Sequence, residues 1–121
     1  MVKLTFCLHR LPQLSRDQFL RHWAETHAPL VRKHAAALRI RRYVQLHPDA
    51  GPMSDAVRKT RGAPEAFDGV AELWWDSVED LQAAGATAEG RAAGAELIED
   101  ERRFIDHRRS PLWFSREHVI V

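Results

Sequence analysis

Seven histidines in 121 residues give this chain a generous supply of groups that titrate near neutral pH. His27 stands four residues after Trp23 and two before Pro29. An interruption of a helix there frees backbone groups near the imidazole. Two readings of His27 stand side by side: a core-edge histidine bonded to a backbone carbonyl, or a general base in a pocket roofed by a helix and floored by a sheet. Tyr43 and His47 are four apart in an alternating segment, so a strand points both side chains to one face. A phenol and an imidazole placed together can polarise a carbonyl or hold an enolate oxygen. The plainer alternative packs Tyr43 in the core with its hydroxyl at the rim, and lets His47 end the strand. Trp74 and Trp75 point to opposite faces of their strand, and Glu72 shares the face of Trp74. One tryptophan then meets the helices and the other a dimer interface; an aromatic wall suits a planar apolar ligand, and core packing explains it as well. The candidate catalytic residues are therefore His27, Tyr43 and His47, and the candidate substrate-binding residues are Trp23, Glu72, Trp74, Trp75 and Phe6.

Other chemistries are excluded by spacing. His27 and His34 share a helix face but are about 10.5 Å apart along its axis, too far to share a metal. His22, five residues before His27, turns toward solvent on a regular helix. No HxxxH or HExxH pattern occurs, so no metal site is expected. Six dispersed glycines form no phosphate loop, and no cofactor is expected. Eighteen basic against seventeen acidic side chains leave a net charge of +1, which gives no field for nucleic-acid binding. The Arg39, Arg41, Arg42 cluster reads as a solvated or interface-pairing group. No run approaches the ~20 apolar residues of a membrane span. A single cysteine, Cys7, excludes an intramolecular disulfide. The start of the chain lacks the apolar run of a leader, so a cytoplasmic location is expected.

The elements that must position these side chains follow from periodicity. Residues 2–9 alternate and form a strand. Ser15, with Asp17 and Gln18 behind it, starts a helix whose apolar stripe runs Phe19, Trp23, His27, Leu30/Val31, His34, Leu38. Pro29 predicts a kink or restart near Thr26–Ala28. Residues 39–47 alternate as a second strand. Residues 48–66 hold three of the six prolines and read as a long surface loop, with one short helical turn around Ser54–Lys59. A third strand spans 69–75. Helical segments follow over Val78–Ala84 and Ala88–Phe104, the second with a stripe of Leu97, Ile98, Glu101, Phe104 and Ile105. Residues 112–121 form a fourth strand.

The order β-α-β-β-α-β is the α+β, ferredoxin-like arrangement: one domain over residues 1–121, with a four-stranded antiparallel sheet and its helices on one face. The uncovered face carries apolar residues, and a homodimer packed sheet to sheet would cover it.

The run Phe19-Leu20-x-x-Trp23-x-x-x-His27-Ala28-Pro29-Leu30-Val31, followed by Arg42-Tyr43-Val44-x-x-His47, resembles the EthD family of dimeric α+β barrels. Asp68-Gly69-Val70-Ala71-Glu72-Leu73-Trp74-Trp75 is similar to that family's third strand, and Glu101-x-x-Phe104-Ile105-Asp106 to the end of its second helix. The resemblance implies a subunit dimerising through its sheet, with a pocket between sheet and helices. It implies His27 as the acid or base, and Trp23, Tyr43, His47 and Glu72 as pocket residues. The wider superfamily includes cofactor-free monooxygenases, polyketide cyclases, dehydratases and lactone isomerases, so fold alone does not choose the reaction. The expected activity is a cofactor-independent one on a small aromatic or enolisable carbonyl compound. The alternative is a non-catalytic protein that binds or delivers such a compound.

Overall fold

A computed structural model describes residues 1–121. Strand β1 (Val2–Leu8) leads to helix α1 (Arg16–His22), a π-helical turn (Trp23–His27) and helix α2 (Ala28–His34). Then come β2 (Arg42–Leu46), α3 (Pro52–Arg61), β3 (Gly69–Trp75), α4 (Val78–Ala86) and α5 (Ala88–Glu101). A short 3-10 turn (His107–Arg109) precedes β4 (Leu112–Ser115). The sheet order is β2-β3-β1-β4 with every pairing antiparallel, which is the ferredoxin-like order.

Ser15 caps α1 in the way its sequence announces. Its hydroxyl accepts from the Gln18 backbone N–H at 3.1 Å, and its own N–H donates to the Gln18 side-chain oxygen at 2.8 Å. Pro29 has no N–H to give to the helix below it, and the chain meets this with the π turn, in which the N–H of Ala28 reaches back five residues to Trp23. The predicted restart is thus a widened turn rather than a sharp kink, because the lost bond is absorbed by changing the helix pitch.

Register divides the sheet into two faces. Leu4 pairs with Leu73 and Phe6 with Ala71, while Tyr43 pairs with Leu73, so these residues and Trp75 face the helices. Thr5 pairs with Glu72 and Trp113, and Arg42 with Trp74, so those side chains lie on the open face. Between sheet and helices the core is built on Phe6, Leu8, Phe19, Trp23, Ala71, Phe104 and Ile105. Burying each large side chain contributes roughly 1.5–3 kcal/mol. Asp68, buried at the entry to β3, accepts the Arg10 backbone N–H at 2.8 Å and its guanidinium at 2.6 Å, with Arg16 at 3.3 Å. That carboxylate ties the end of β1 and the start of α1 to the third strand. Burial works to raise its pKa, but the two arginines outweigh it and hold Asp68 below the usual carboxylate range.

Several boundaries differ from the periodicity; α5, for one, closes at Glu101 where the stripe predicted a helix to Phe104. The second strand is Arg42–Leu46, not 39–47, because Arg39 takes a left-handed turn conformation with φ of 56°. Arg39 and Arg41 then pair with Asp80 and Asp76. The 48–66 stretch holds ten-residue α3, started by Pro52 and closed by Gly62 at φ of 59°, where the sequence suggested only a turn. The last strand stops at Ser115, since β1 offers pairing partners only from Lys3 to Phe6.

Candidate functional site

A cavity of about 340 Å³ lies between the helix-facing side of the sheet and the helices. Phe6, Leu73 and Trp75 line it from the sheet, and Trp23, Leu97 and Ile98 from the helices. Its polar side chains are His27, Tyr43 and Glu101. No residue of the 48–66 segment lines it, so α3 is not a wall of this cavity. A larger, open depression of about 630 Å³ runs beside α3 among charged residues such as Asp55 and Arg58, and none of the predicted site residues reaches it.

His27 is buried, its ring 5.1 Å from that of Phe104, and its Nδ1 lies 2.8 Å from Asp100 Oδ2. The same carboxylate takes His22 Nε2 at 3.1 Å on Oδ1. Burial tends to raise the pKa of Asp100, yet the hydrogen bonds and charge supplied by His27 and His22 prevail and hold it below the usual range. An ionised carboxylate only accepts, so the network assigns the neutral His27 proton to Nδ1 and leaves a lone pair on Nε2. Nε2 has no hydrogen bond within the protein, and no sealed side-chain nitrogen or oxygen is left unpaired, so Nε2 opens on the cavity. A proton acceptor in an apolar chamber, backed by a carboxylate, is suited to proton abstraction.

Tyr43 is held by an equally ordered chain. The Gln45 amide nitrogen donates to the carbonyl oxygen of Trp23 at 2.9 Å and to the Tyr43 hydroxyl oxygen at 2.9 Å. Because a carbonyl can only accept, this fixes which end of the amide is nitrogen. Gln45 Oε1 must then accept from His47 Nε2 at 2.9 Å. The phenol oxygen is thereby satisfied as acceptor and its own O–H remains to donate. Burial pushes its pKa up to about 12, helped by the Glu101 charge and opposed by hydrogen bonds from Gln45 and Trp23. It therefore stays a neutral donor at physiological pH.

The predicted residues separate. Trp23, His27, Tyr43, Trp75 and Phe6 converge on the cavity. His47 does not: β2 ends at Leu46, so strand alternation no longer governs residue 47, and its exposed ring stacks on Trp23 at 4.8 Å. It reaches Tyr43 only through Gln45. Glu72 and Trp74 lie on the open face, where Glu72 pairs with Lys3, and Trp74 lies between Lys3 at 5.0 Å and Arg42 at 4.7 Å. They are absent from the cavity because strand alternation puts them across the sheet from Leu73 and Trp75. Nor does His22 point to solvent alone. The π turn aligns residues five apart, so His22 and His27 reach one carboxylate.

Three participants escaped sequence reasoning. Asp100 falls in the buried row Ala93, Leu97, Asp100, Phe104, and a carboxylate in an apolar stripe was the available signal. Glu101 was legible as part of a stripe and of the second-helix motif but not as a site residue; it faces the cavity while accepting from His107 Nε2 at 3.0 Å. Gln45 had no signal beyond its strand position. No group of three or more His, Cys, Asp or Glu side chains converges in metal-ligand geometry. No helix is long and apolar enough to cross a membrane.

The EthD domain model matches residues 11–108. Among solved structures, an EthD family protein from Bacillus halodurans is 29% identical, with a TM-score of 0.64 over 98% of this chain and 99% of that one. An EthD-like protein from Ralstonia eutropha is 22% identical, with a TM-score of 0.57 over 94% of this chain and 88% of that one. A dimeric protein of unknown function and ferredoxin-like fold from Bacteroides fragilis is 13% identical, with a TM-score of 0.60 over 96% and 95%. No curated protein matches the chain.

Proposed function

The chain belongs to the EthD family, and we propose that within it this protein is an enzyme that removes a proton from a small, neutral, aromatic or enolisable carbonyl compound. One observation carries the reading: a buried imidazole whose Nδ1 is held by Asp100 and whose Nε2 opens on an apolar cavity. His27 takes the proton from carbon or a phenolic oxygen, and Asp100 offsets the imidazolium charge that results as long as His22, which shares that carboxylate, is neutral. The Tyr43 hydroxyl donates to the oxyanion that develops, a role supported by its neutrality and free proton. A cavity of about 340 Å³ is at the small end of ligand pockets, which supports a compact substrate. With Glu101 in the lining and no lysine or arginine there, a neutral substrate is favoured over an anionic one.

From the substrate anion, loss of hydroxide gives a dehydration and attack within the molecule a cyclisation. Reaction with dioxygen, the substrate supplying the electrons, gives a monooxygenase-like oxidation. None of these proton steps calls for a cofactor. The largely apolar lining also favours a second reading, a protein that holds or delivers an apolar metabolite.

The test is a panel of phenols, anthrone-like ketones and lactones, screened by thermal shift and then for turnover with and without oxygen. A ligand at a hundredfold over Kd stabilises the fold by about 2.7 kcal/mol. His27→Ala is expected to bind within about tenfold of wild type and to lose turnover by roughly a hundredfold or more. Turnover surviving intact in that variant sinks the catalytic role, and binding by both proteins without turnover assigns the carrier role.

The open face supports self-association as a homodimer through the sheet. It exposes Trp113 and Leu46, alongside the Trp74 indole that Lys3 and Arg42 flank. Cys7, buried and unpaired, fits the reducing cytoplasm in which we place the protein.

A further inference from the structure

Two imidazoles share one carboxylate in this site, and they are not equivalent. His27 is 7% exposed at its side chain and faces the cavity; His22 is 26% exposed and borders a polar surface hollow. Asp100, 3% exposed, lies between them. A single negative charge can offset one imidazolium, and a second would be left with a like charge beside it. Water solvates the charged form of the outer ring and not that of the inner one.

We propose that His22 is a positioning residue of the site: by taking the shared Asp100 as its own counter-ion in mildly acidic solution, it keeps His27 in the free-base form. An Asp–His pair standing alone would favour the imidazolium of His27 and so block the nitrogen that must accept the substrate's proton. With His22 Nε2 set between both oxygens of the same carboxylate, at 3.1 and 3.2 Å, the proton from solution goes to the outer ring. His27 then charges only when a substrate proton is delivered to it. This inference rests on His27 being the base, and it adds a pH range over which that base works.

The other charges around the two rings do not undo the arrangement. Asp17 and Glu25 line the hollow beside His22 and favour its charged form, with Arg21 opposing them. From α5's C-terminal end, the exposed Arg103 reaches Asp100 Oδ1 only at 3.4 Å. Across the cavity His27 faces the neutral phenol of Tyr43 and the carboxylate of Glu101, which His107 already engages. The Phe104 ring lies 4.8 Å from His22 and 5.1 Å from His27, and holds both imidazoles against the carboxylate.

The experiment uses the whole chain and no substrate. Diethyl pyrocarbonate acylates an unprotonated imidazole nitrogen, and fragment mass spectrometry resolves the modification at His27 from that at His22. The rate at His27 is measured at pH 7.0 and 5.5 in wild type and in His22→Gln, whose amide can still donate to Asp100 but carries no charge. His22→Asn serves as a second variant, and far-ultraviolet circular dichroism confirms the fold of each. Corrected for the reagent's own pH dependence, the wild-type rate is expected to fall less than about threefold, and the variant rates roughly tenfold or more. Equal falls in wild type and variants overturn the proposal. Because the rate reads His27 alone, that result leaves the proposed proton abstraction standing. Loss of turnover in His27→Ala, in turn, says nothing of the sharing.

Discussion

Asp100→Asn isolates the charge at the centre of the site while keeping its shape. An amide has one acceptor oxygen where the carboxylate has two, and it carries no charge, so it holds His27 Nδ1 and His22 Nε2 more weakly than Asp100 does at 2.8 and 3.1 Å. If its NH2 faces His27, that ring must move its proton to Nε2, and the cavity loses its acceptor. Hydrogen bonds to charged groups contribute about 1.5–3 kcal/mol each, and the amide keeps part of them, so the expected loss is about 2 kcal/mol at pH 7. For a chain of 121 residues that lowers Tm by roughly 8 °C. The sign of the pH dependence follows from the lowered pKa of Asp100. Its stabilisation is fully present above the ordinary carboxylate pKa of about 3.9 and is lost as pH falls through the lower folded value. Protonated, Asp100 is close to isosteric with asparagine, so the two proteins converge in acid. Asp68, also held low, is common to both and cancels from the difference. Urea unfolding of both proteins at steps from pH 7 down to pH 3 measures this. No difference at pH 7, or a gap undiminished at pH 3, refutes the assignment of Asp100 as a buried carboxylate counter-ion.

Gly69→Ala probes the cavity wall, since a Cβ there would stand 2.7 Å from Cη2 of the buried Trp23 and closer still to Cζ3. Trp23 has His47 stacked against it at 4.8 Å and cannot retreat freely, so a loss of about 1–3 kcal/mol in urea unfolding and altered tryptophan fluorescence are expected; wild-type stability would show the wall to be soft. Tyr43→Phe keeps the ring and removes the donor, so turnover of whichever compound the screen identifies should fall by roughly a hundredfold with KM little changed. A change confined to KM would make Tyr43 a binding residue only. Asp68→Ala removes the acceptor of the Arg10 backbone N–H and of two guanidinium groups, and about 2–3 kcal/mol should go with it in the same unfolding assay; an unchanged midpoint would deny that clamp its structural role. Trp113→Glu puts a charge on the open face and should shift sedimentation from dimer toward monomer, whereas an unchanged coefficient would place the self-contact elsewhere.

Most of the fold was legible because it is local. Alternation in 2–9, the aromatic-rich run 69–75, the Ser15 cap and the Pro29 interruption each depend on residues a few positions apart, and each has its structural counterpart. The element order then leaves few ways to close a four-stranded sheet. Boundaries were less legible where tertiary pairing sets them: β4 stops where β1 stops offering partners, and Arg39 leaves the strand pattern to make a turn.

The site divides along the same line. Sequence by itself determined that His27 lies on a buried helix stripe beside Trp23, that Tyr43 is on a strand, and that Trp74 and Trp75 part to opposite faces. It could not say which face has the cavity, and so Glu72 and Trp74 were grouped with residues that lie across the sheet from them. Tertiary structure alone decided the partner of His27. Asp100 is 73 residues away in sequence, and only the packing of α5 against the π turn brings it to 2.8 Å. His22 joins them for a reason that helical periodicity misjudged: 3.6 residues per turn sends residues five apart to different sides, whereas the widened turn forced by Pro29 brings them together. A base can be named from one residue's place in a pattern, but its protonation state is set by charges that only the fold brings near.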